Sequence, residues 1–304
     1  TILTGSRMFA ASFGTFSISA LGFPIVLFFG GGQESIGFVY LGIISGLTAI
    51  LILMITVTFV KERKFESIKS DLPNFFEVSK SVASNYPFWL VFSSILILLA
   101  AMLMFNNNLV YYSKYALDLH SYQGLILGVL NGVTFIAVPA WAYIALKLGK
   151  KNTWLAAMVA LFIGFILFYY LPINGLNELL YVLAFIGLAN GATGVLFWSM
   201  LPDTIEFGEW KTGIRTESSL YGFMTFAQKG AIAIAAFILG MVLTSIGFEP
   251  NEVQSAQTIS DLKTLMTLIP IVGICISFIL MWFYPIDKKF HSQLITDIQN
   301  RGTS

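Results

Sequence analysis

An all-α polytopic membrane protein, a bundle of about eight spanning helices, is the fold class this sequence predicts. Three observations carry the prediction. Of 304 residues, 57% are hydrophobic and only 11% charged, against roughly 25% charge in soluble domains. The apolar residues come in runs of about 20, the length a helix needs to cross roughly 30 Å of hydrocarbon. Those runs are continuous and lack the apolar–polar alternation of membrane-barrel strands.

In chain order the spans are expected at about 7–29, 36–60, 88–112, 122–146, 153–171, 179–200, 220–246 and 261–284. Small residues recur inside them, among them Gly14, Gly128, Gly187, Gly191 and Gly240, as close helix packing in lipid requires. Lys61, Arg63, Lys64 and Lys69 follow the second span, and Lys147, Lys150 and Lys151 follow the fourth. Lys211 and Arg215 follow the sixth, and Lys288, Lys289 and Arg301 the eighth. The intervening loops hold one basic residue, Lys114, so the even-numbered loops and both ends of this chain are expected in the cytoplasm. The stretch 61–87 is the longest break between spans. Phe65, Ile68, Leu72, Phe75 and Phe76 lie loosely on one side of it, the pattern of an amphipathic linker on the membrane surface.

Composition also excludes. A net charge of +1 gives no field for nucleic acid. One cysteine, Cys275, rules out a disulfide framework. Two histidines, His120 and His291, leave little material for a metal site, and none is expected. No Asp or Glu falls near the middle of a span, so a cation-coupling carboxylate is not expected in these residues. The opening TILTGSRMF has neither an initiator Met nor a signal-peptide layout and reads as the middle of a longer chain.

The stretch 190–247 concentrates the chemistry. An apolar run ends at Trp198–Leu201, a charged segment follows, and the next run carries Lys229 about ten residues inside it. A lysine at that depth costs about 2.5–3.5 kcal/mol on insertion scales, which favours a ligand over a purely structural partner. Thr225 precedes it by one turn on the same face, with Met224 and Gln228 beside it. Hydroxyl and ammonium together suit a ligand rich in hydroxyls or bearing an anionic group. Arg7 fits an end-of-span anchor. Trp198 fits an aromatic belt or a stacking platform for a sugar ring equally well. Asn106, Asn107 and Asn108 cannot all face one side, so at least one must meet neighbouring helices. Asp203, Glu206 and Glu209, then Lys211, Arg215 and Glu217, read as a solvated mixed-charge loop or as ion pairs between helix ends.

DTIEFGEWKTGIRTESSLYGFMTFAQKG resembles the signature of the glycoside–pentoside–hexuronide:cation symporters, the melibiose-permease-like family of the major facilitator superfamily. Pro202, Asp203, Glu206, Gly208, Glu209, Trp210, Lys211, Gly213, Arg215, Glu217, Lys229 and Gly240 carry the match, with support at Arg7–Phe9, Tyr111–Tyr115 and Leu148–Lys151. The resemblance covers the whole chain and matches spans five to twelve of a twelve-span fold, so an N-terminally truncated bundle is expected. It implies two helices of the N-terminal half at 1–60, a central cytoplasmic loop at 61–87, the C-terminal six-helix half at 88–284 and a cytoplasmic tail at 285–304. It implies sugar contacts from Arg7, Trp198, Thr225, Gln228 and Lys229, and a cytoplasmic gate built from Asp203, Glu206, Glu209, Lys211, Arg215 and Glu217. Met224 stands where the melibiose permease has a glutamine, which weighs against a galactoside.

The implied activity is sugar symport with Na+ or H+ by alternating access, in a monomer embedded in the bacterial inner membrane. No covalent chemistry, cofactor or nucleic acid is implied. An anionic amphiphile such as a lysolipid is the alternative cargo, with Lys229 on its phosphate. A polytopic membrane enzyme is the remote alternative, since only the carboxylates at 203–217 could serve it.

Overall fold

The computed structural model describes residues 2–59, 74–250 and 252–302; for 2–8, 34, 301 and 302 it describes backbone alone. Apart from one short 3-10 turn at His120–Tyr122, its regular structure is α-helical. The helices are α1 (Ile2–Gly30), α2 (Glu34–Phe59), α3 (Phe75–Ser84), α4 (Tyr86–Tyr115) and α5 (Gln123–Leu148). They continue as α6 (Lys150–Tyr170), α7 (Leu176–Thr212), α8 (Glu217–Ser245), α9 (Ala256–Trp282) and α10 (Lys288–Gly302). Eight of them, α1, α2 and α4 to α9, are long and apolar enough to cross a membrane, which agrees with the expected count.

The six helices α4 to α9 form one packed body, with α4 against α8 and α9, α7 against α5 and α6, and α6 against α9. Its centre is aromatic and aliphatic: Phe105 meets Phe165 and Phe168 edge-on at 4.9 and 5.8 Å, among buried Met158, Leu161 and Ile186. Ser94 and Ser277 share a hydrogen bond of 2.7 Å inside this core, and Trp154 Nε1 donates to Ser277 at 3.1 Å. In lipid the polar groups of such helices must be satisfied internally, and these are. The second group is smaller. α1 lies along α5, with Phe9, Phe13 and Phe16 against Phe135, and α2 packs on α1.

Within the six-helix body, α5 and α7 approach closely. A Cβ built on Gly187 would stand 2.5 Å from the Leu130 carbonyl oxygen, and one on Gly191 2.7 Å from Ala137 Cβ. Thr134 Oγ1 donates to the Gly187 carbonyl at 3.1 Å through the space thus left. Since the obstacle at Gly187 is helix backbone, Gly187→Ala should push the helices apart and cost about 1–3 kcal/mol, the usual range for overpacking. Gly240→Ala, where a Cβ meets nothing within 4 Å, should be neutral or slightly stabilising. Thermal midpoints in detergent decide between them, and equal midpoints would refute the close-approach argument.

Three differences from the sequence expectation concern the polar segments. The segment expected as a loop after Met200 is helix: α7 runs unbroken through Pro202 to Thr212, 37 residues and roughly 55 Å. Charge ends a hydropathy run but not a helix, and the stop comes only at Gly213, which takes the left-handed conformation at φ 74°. The amphipathic segment within 61–87 is a helix over Phe75–Ser84, but its packed face is Val78, Ser81 and Val82. Phe75 and Phe76 are exposed, while Phe65, Ile68 and Leu72 lie outside the described residues. Beyond 285 the chain is the helix α10, begun by Asp287 Oδ1 accepting from Phe290 N at 2.7 Å. It docks on α7 and buries Leu294.

Candidate functional site

α8 turns Leu220, Met224, Ala227, Ala231, Ala235 and Leu239 inward, one apolar stripe at helical spacing. A helix advances about 100° per residue, which puts Lys229 nearly opposite that stripe. Lys229 is exposed there and makes no ion pair among the described residues. Tyr221, Thr225 and Lys229 follow one another at intervals of one turn, and Thr225 Oγ1 donates to the Tyr221 carbonyl at 2.9 Å. Trp198 of α7 lies alongside Tyr221 with ring centroids 6.2 Å apart and planes 18° from parallel, backed by Phe197 at 4.5 Å. The structure thus joins Trp198, Thr225 and Lys229 into one row of aromatic faces, hydroxyl and ammonium, about 12 Å long on the helix rise.

Tyr221 belongs to that row although the sequence reading passed over it. Its spacing of one turn before Thr225 was the available signal. Gln228 is half-buried at the border of the row. Met224 is fully buried on the inward stripe of α8 and does not reach it. The expectation for Arg7 concerns a side chain outside the described residues. Of the three asparagines, Asn108 is fully buried and Asn107 exposed, as the spacing required.

The charged end of α7 forms a second cluster. Asp203, with its side chain 8% exposed, accepts from Lys150 Nζ at 2.6 Å and lies 3.3 Å from His291 Nε2. Glu206 Oε2 is 2.8 Å from the same nitrogen. Lys150 also donates to the Ser199 carbonyl at 2.6 Å. Hydrogen bonds that His291 gives to Asp203 and then Glu206 raise its pKa to about 9, so the imidazole is charged at neutral pH. Tyr284 is fully buried beside them; burial, then the two carboxylates, push its phenol well above the usual range. α10 is held on by more than charge: Trp210 Nε1 donates to Asp297 Oδ2 at 3.1 Å, and Phe290 packs on Trp210 and Phe207. Lys150 and His291 were absent from the expected gate, because they meet α7 across 53 and 85 residues of sequence.

The remaining charges pair locally. Arg215 reaches Glu209 at 2.8 Å and Glu217 at 3.0 Å, closing the turn between α7 and α8. Lys211 takes no part in this: it donates to the Ser84 carbonyl at 2.8 Å and lies 5.9 Å above the Tyr86 ring. Charge reversal of Glu209 should therefore be rescued by Arg215→Glu and not by Lys211→Glu. Turnover against substrate affinity in reconstituted transporter is the measurement, and rescue by Lys211→Glu alone would contradict the pairing. The pair is half-exposed, so its contribution to stability is at most about 1 kcal/mol.

A family profile described as MFS/sugar transport protein matches residues 1–288. The isoprimeverose transporter of Lactiplantibacillus pentosus is 29% identical over 98% of this chain and 63% of its own length. The putative sulfoquinovose importer of Escherichia coli (strain K12) is 35% identical over 67% of this chain and 44% of its own. The glucuronide carrier protein homolog of the same organism is 27% identical over 73% and 49%. The chain thus spans 63% or less of the length of these curated relatives. All three are named as transporters or carriers, and none as an enzyme. With eight apolar helices and this match over nearly its whole length, the chain is a multi-pass membrane protein of the MFS/sugar transport family, in its glycoside–pentoside–hexuronide branch.

Proposed function

We propose that this chain is the major part of a transporter that moves a glycoside, pentoside or hexuronide together with Na+ or H+, without a cofactor, as a monomer in the bacterial inner membrane. The observation that carries the reading is the row of Trp198, Tyr221, Thr225 and Lys229 on the open face of α8. An aromatic face accepts the C–H side of a pyranose, and a hydroxyl and an ammonium serve its oxygens. α1 and α2 belong to one half of the bundle, the stretch about 61–87 joins the halves, and α4 to α9 are the other half. The halves rock about a central site in alternating access, with Lys229 facing that site and the charged end of α7 facing the cytoplasm. An unneutralised cation favours a sugar bearing a carboxylate or sulfonate, the kind of cargo for which the glucuronide and sulfoquinovose relatives are named. The coupling carboxylates would lie outside this stretch of sequence.

The test is uptake into proteoliposomes holding the intact transporter, with labelled neutral, uronic and sulfonated sugars, under an imposed Na+ or proton gradient. Saturable uptake of an acidic sugar that follows one of the gradients is the expected result. Uptake of no sugar, or uptake indifferent to both gradients, would overturn the reading.

A further inference from the structure

We propose that Asp203, Glu206 and His291 form a binding site for a divalent first-row transition-metal ion of the zinc class, with the Tyr284 hydroxyl as the fourth donor. One donor atom from each of the first three lies within 4.8 Å of the others. His291 Nε2 stands 2.8 Å from Glu206 Oε2 and 3.3 Å from Asp203 Oδ1. Zinc binds imidazole nitrogen and carboxylate oxygen at about 2.0–2.2 Å, so donors at tetrahedral angles around it are roughly 3.3–3.6 Å apart. The His291–Asp203 separation already lies at the edge of that range, and the His291–Glu206 pair opens by roughly half an ångström to admit the ion. The ion would take the place of the contacts that His291 Nε2 now makes with the two carboxylates.

Tyr284 supplies an independent observation. Its side chain is fully buried, and its hydroxyl has no hydrogen-bond partner among the described residues. Burial, and then the charges of Asp203 and Glu206, raise the pKa of that hydroxyl, so it lies within electrostatic reach of the two carboxylates. An unpaired buried hydroxyl costs about 1–3 kcal/mol, and donation of its lone pair to a cation removes that cost. The ion competes with Lys150 for Asp203 Oδ1, and the displaced ammonium keeps the Ser199 carbonyl at 2.6 Å and its partial exposure to water.

The donor set fixes the class of ion. Three oxygens and one imidazole, without a thiolate, disfavour Cu(I), and four donors are too few for Ca2+. Asp203 and Glu206 lie on α7 and His291 on α10, so a bound ion would fasten the two helices together. Sugar transport plays no part in this assignment.

The experiment titrates Zn2+, and Co2+ as a spectroscopic probe, into the intact purified transporter carrying no polyhistidine tag, at mildly alkaline pH where the imidazole sheds its proton more readily. One equivalent bound per chain, a visible Co2+ absorption band of low coordination number and a thermal midpoint raised by the metal are expected. Glu206→Gln and His291→Ala should each weaken binding at least about tenfold, since even supporting residues of metal sites are worth that much. Tyr284→Phe, which preserves the packing, should also weaken it and shift the Co2+ band. No stoichiometric binding, or binding unchanged in both His291→Ala and Tyr284→Phe, would overturn the assignment.

Discussion

Replacement of Lys229 by alanine is expected to reduce sugar uptake to near background while leaving the transporter in the membrane. A hydrogen bond to a charged group contributes about 1.5–3 kcal/mol, which corresponds to roughly 10–150-fold in uptake efficiency. The same change removes a cation whose placement in hydrocarbon costs about 2.5–3.5 kcal/mol. Because Lys229 makes no ion pair among the described residues, nothing in the bundle is left unpaired when it goes. Stability should therefore stay level or rise as uptake falls. That opposition separates a ligand-binding lysine from a structural one, whose loss would lower both. Lys229→Arg keeps the charge and should retain partial uptake, more for an acidic sugar than for a neutral one. Wild-type uptake by Lys229→Ala would refute the assignment. Tyr221→Ala, by removing the ring that lies beside Trp198, should weaken uptake of all sugars alike.

Much of this was legible in the residue order. Eight apolar runs became eight helices, because span length is set by the bilayer and read directly from hydropathy. Thr225 and Lys229 share a face because the helical repeat requires it, and Tyr221 could have been added by the same rule. What resisted reading was of two kinds. One was helix beyond the hydrocarbon: α7 continues through DTIEFGEWKT because nothing before Gly213 demands a stop, while hydropathy had already fallen at Met200. The other was pairing between distant segments. Asp203 and Glu206 read as gate residues from their motif, but their partners come from the start of α6 and from α10. A lysine in a basic run and a histidine in a polar tail carry no local sign of such a role. Lys211 shows the converse: proximity in sequence to Glu209 suggested a pair, yet the helix aims its ammonium at α3.

Removal of the Asp203 carboxylate should produce the largest loss of stability at the charged end of α7. Asp203 is 8% exposed and faces two cations, Lys150 at 2.6 Å and His291 at 3.3 Å. Deleting one partner of a buried pair costs about 3–5 kcal/mol, because the charge left behind has lost both water and counter-ion. Lys150 keeps 22% exposure and the Ser199 carbonyl, so the lower end of that range is expected for Asp203→Ala. The loss should appear as a lower thermal midpoint in chelator-treated protein and as earlier proteolysis within α10, whose tie through His291 weakens at the same time. Replacing both charges is expected to cost less than replacing one: Lys150→Met in the Asp203→Ala background should recover part of the midpoint, since an apolar pair there needs no counter-ion. Glu217→Ala, which removes an exposed carboxylate paired only with Arg215, provides the comparison and should cost under about 1 kcal/mol. If Asp203→Ala proved as mild as Glu217→Ala, the cluster would be a solvated surface and the bracing of α6, α7 and α10 by charge would be wrong.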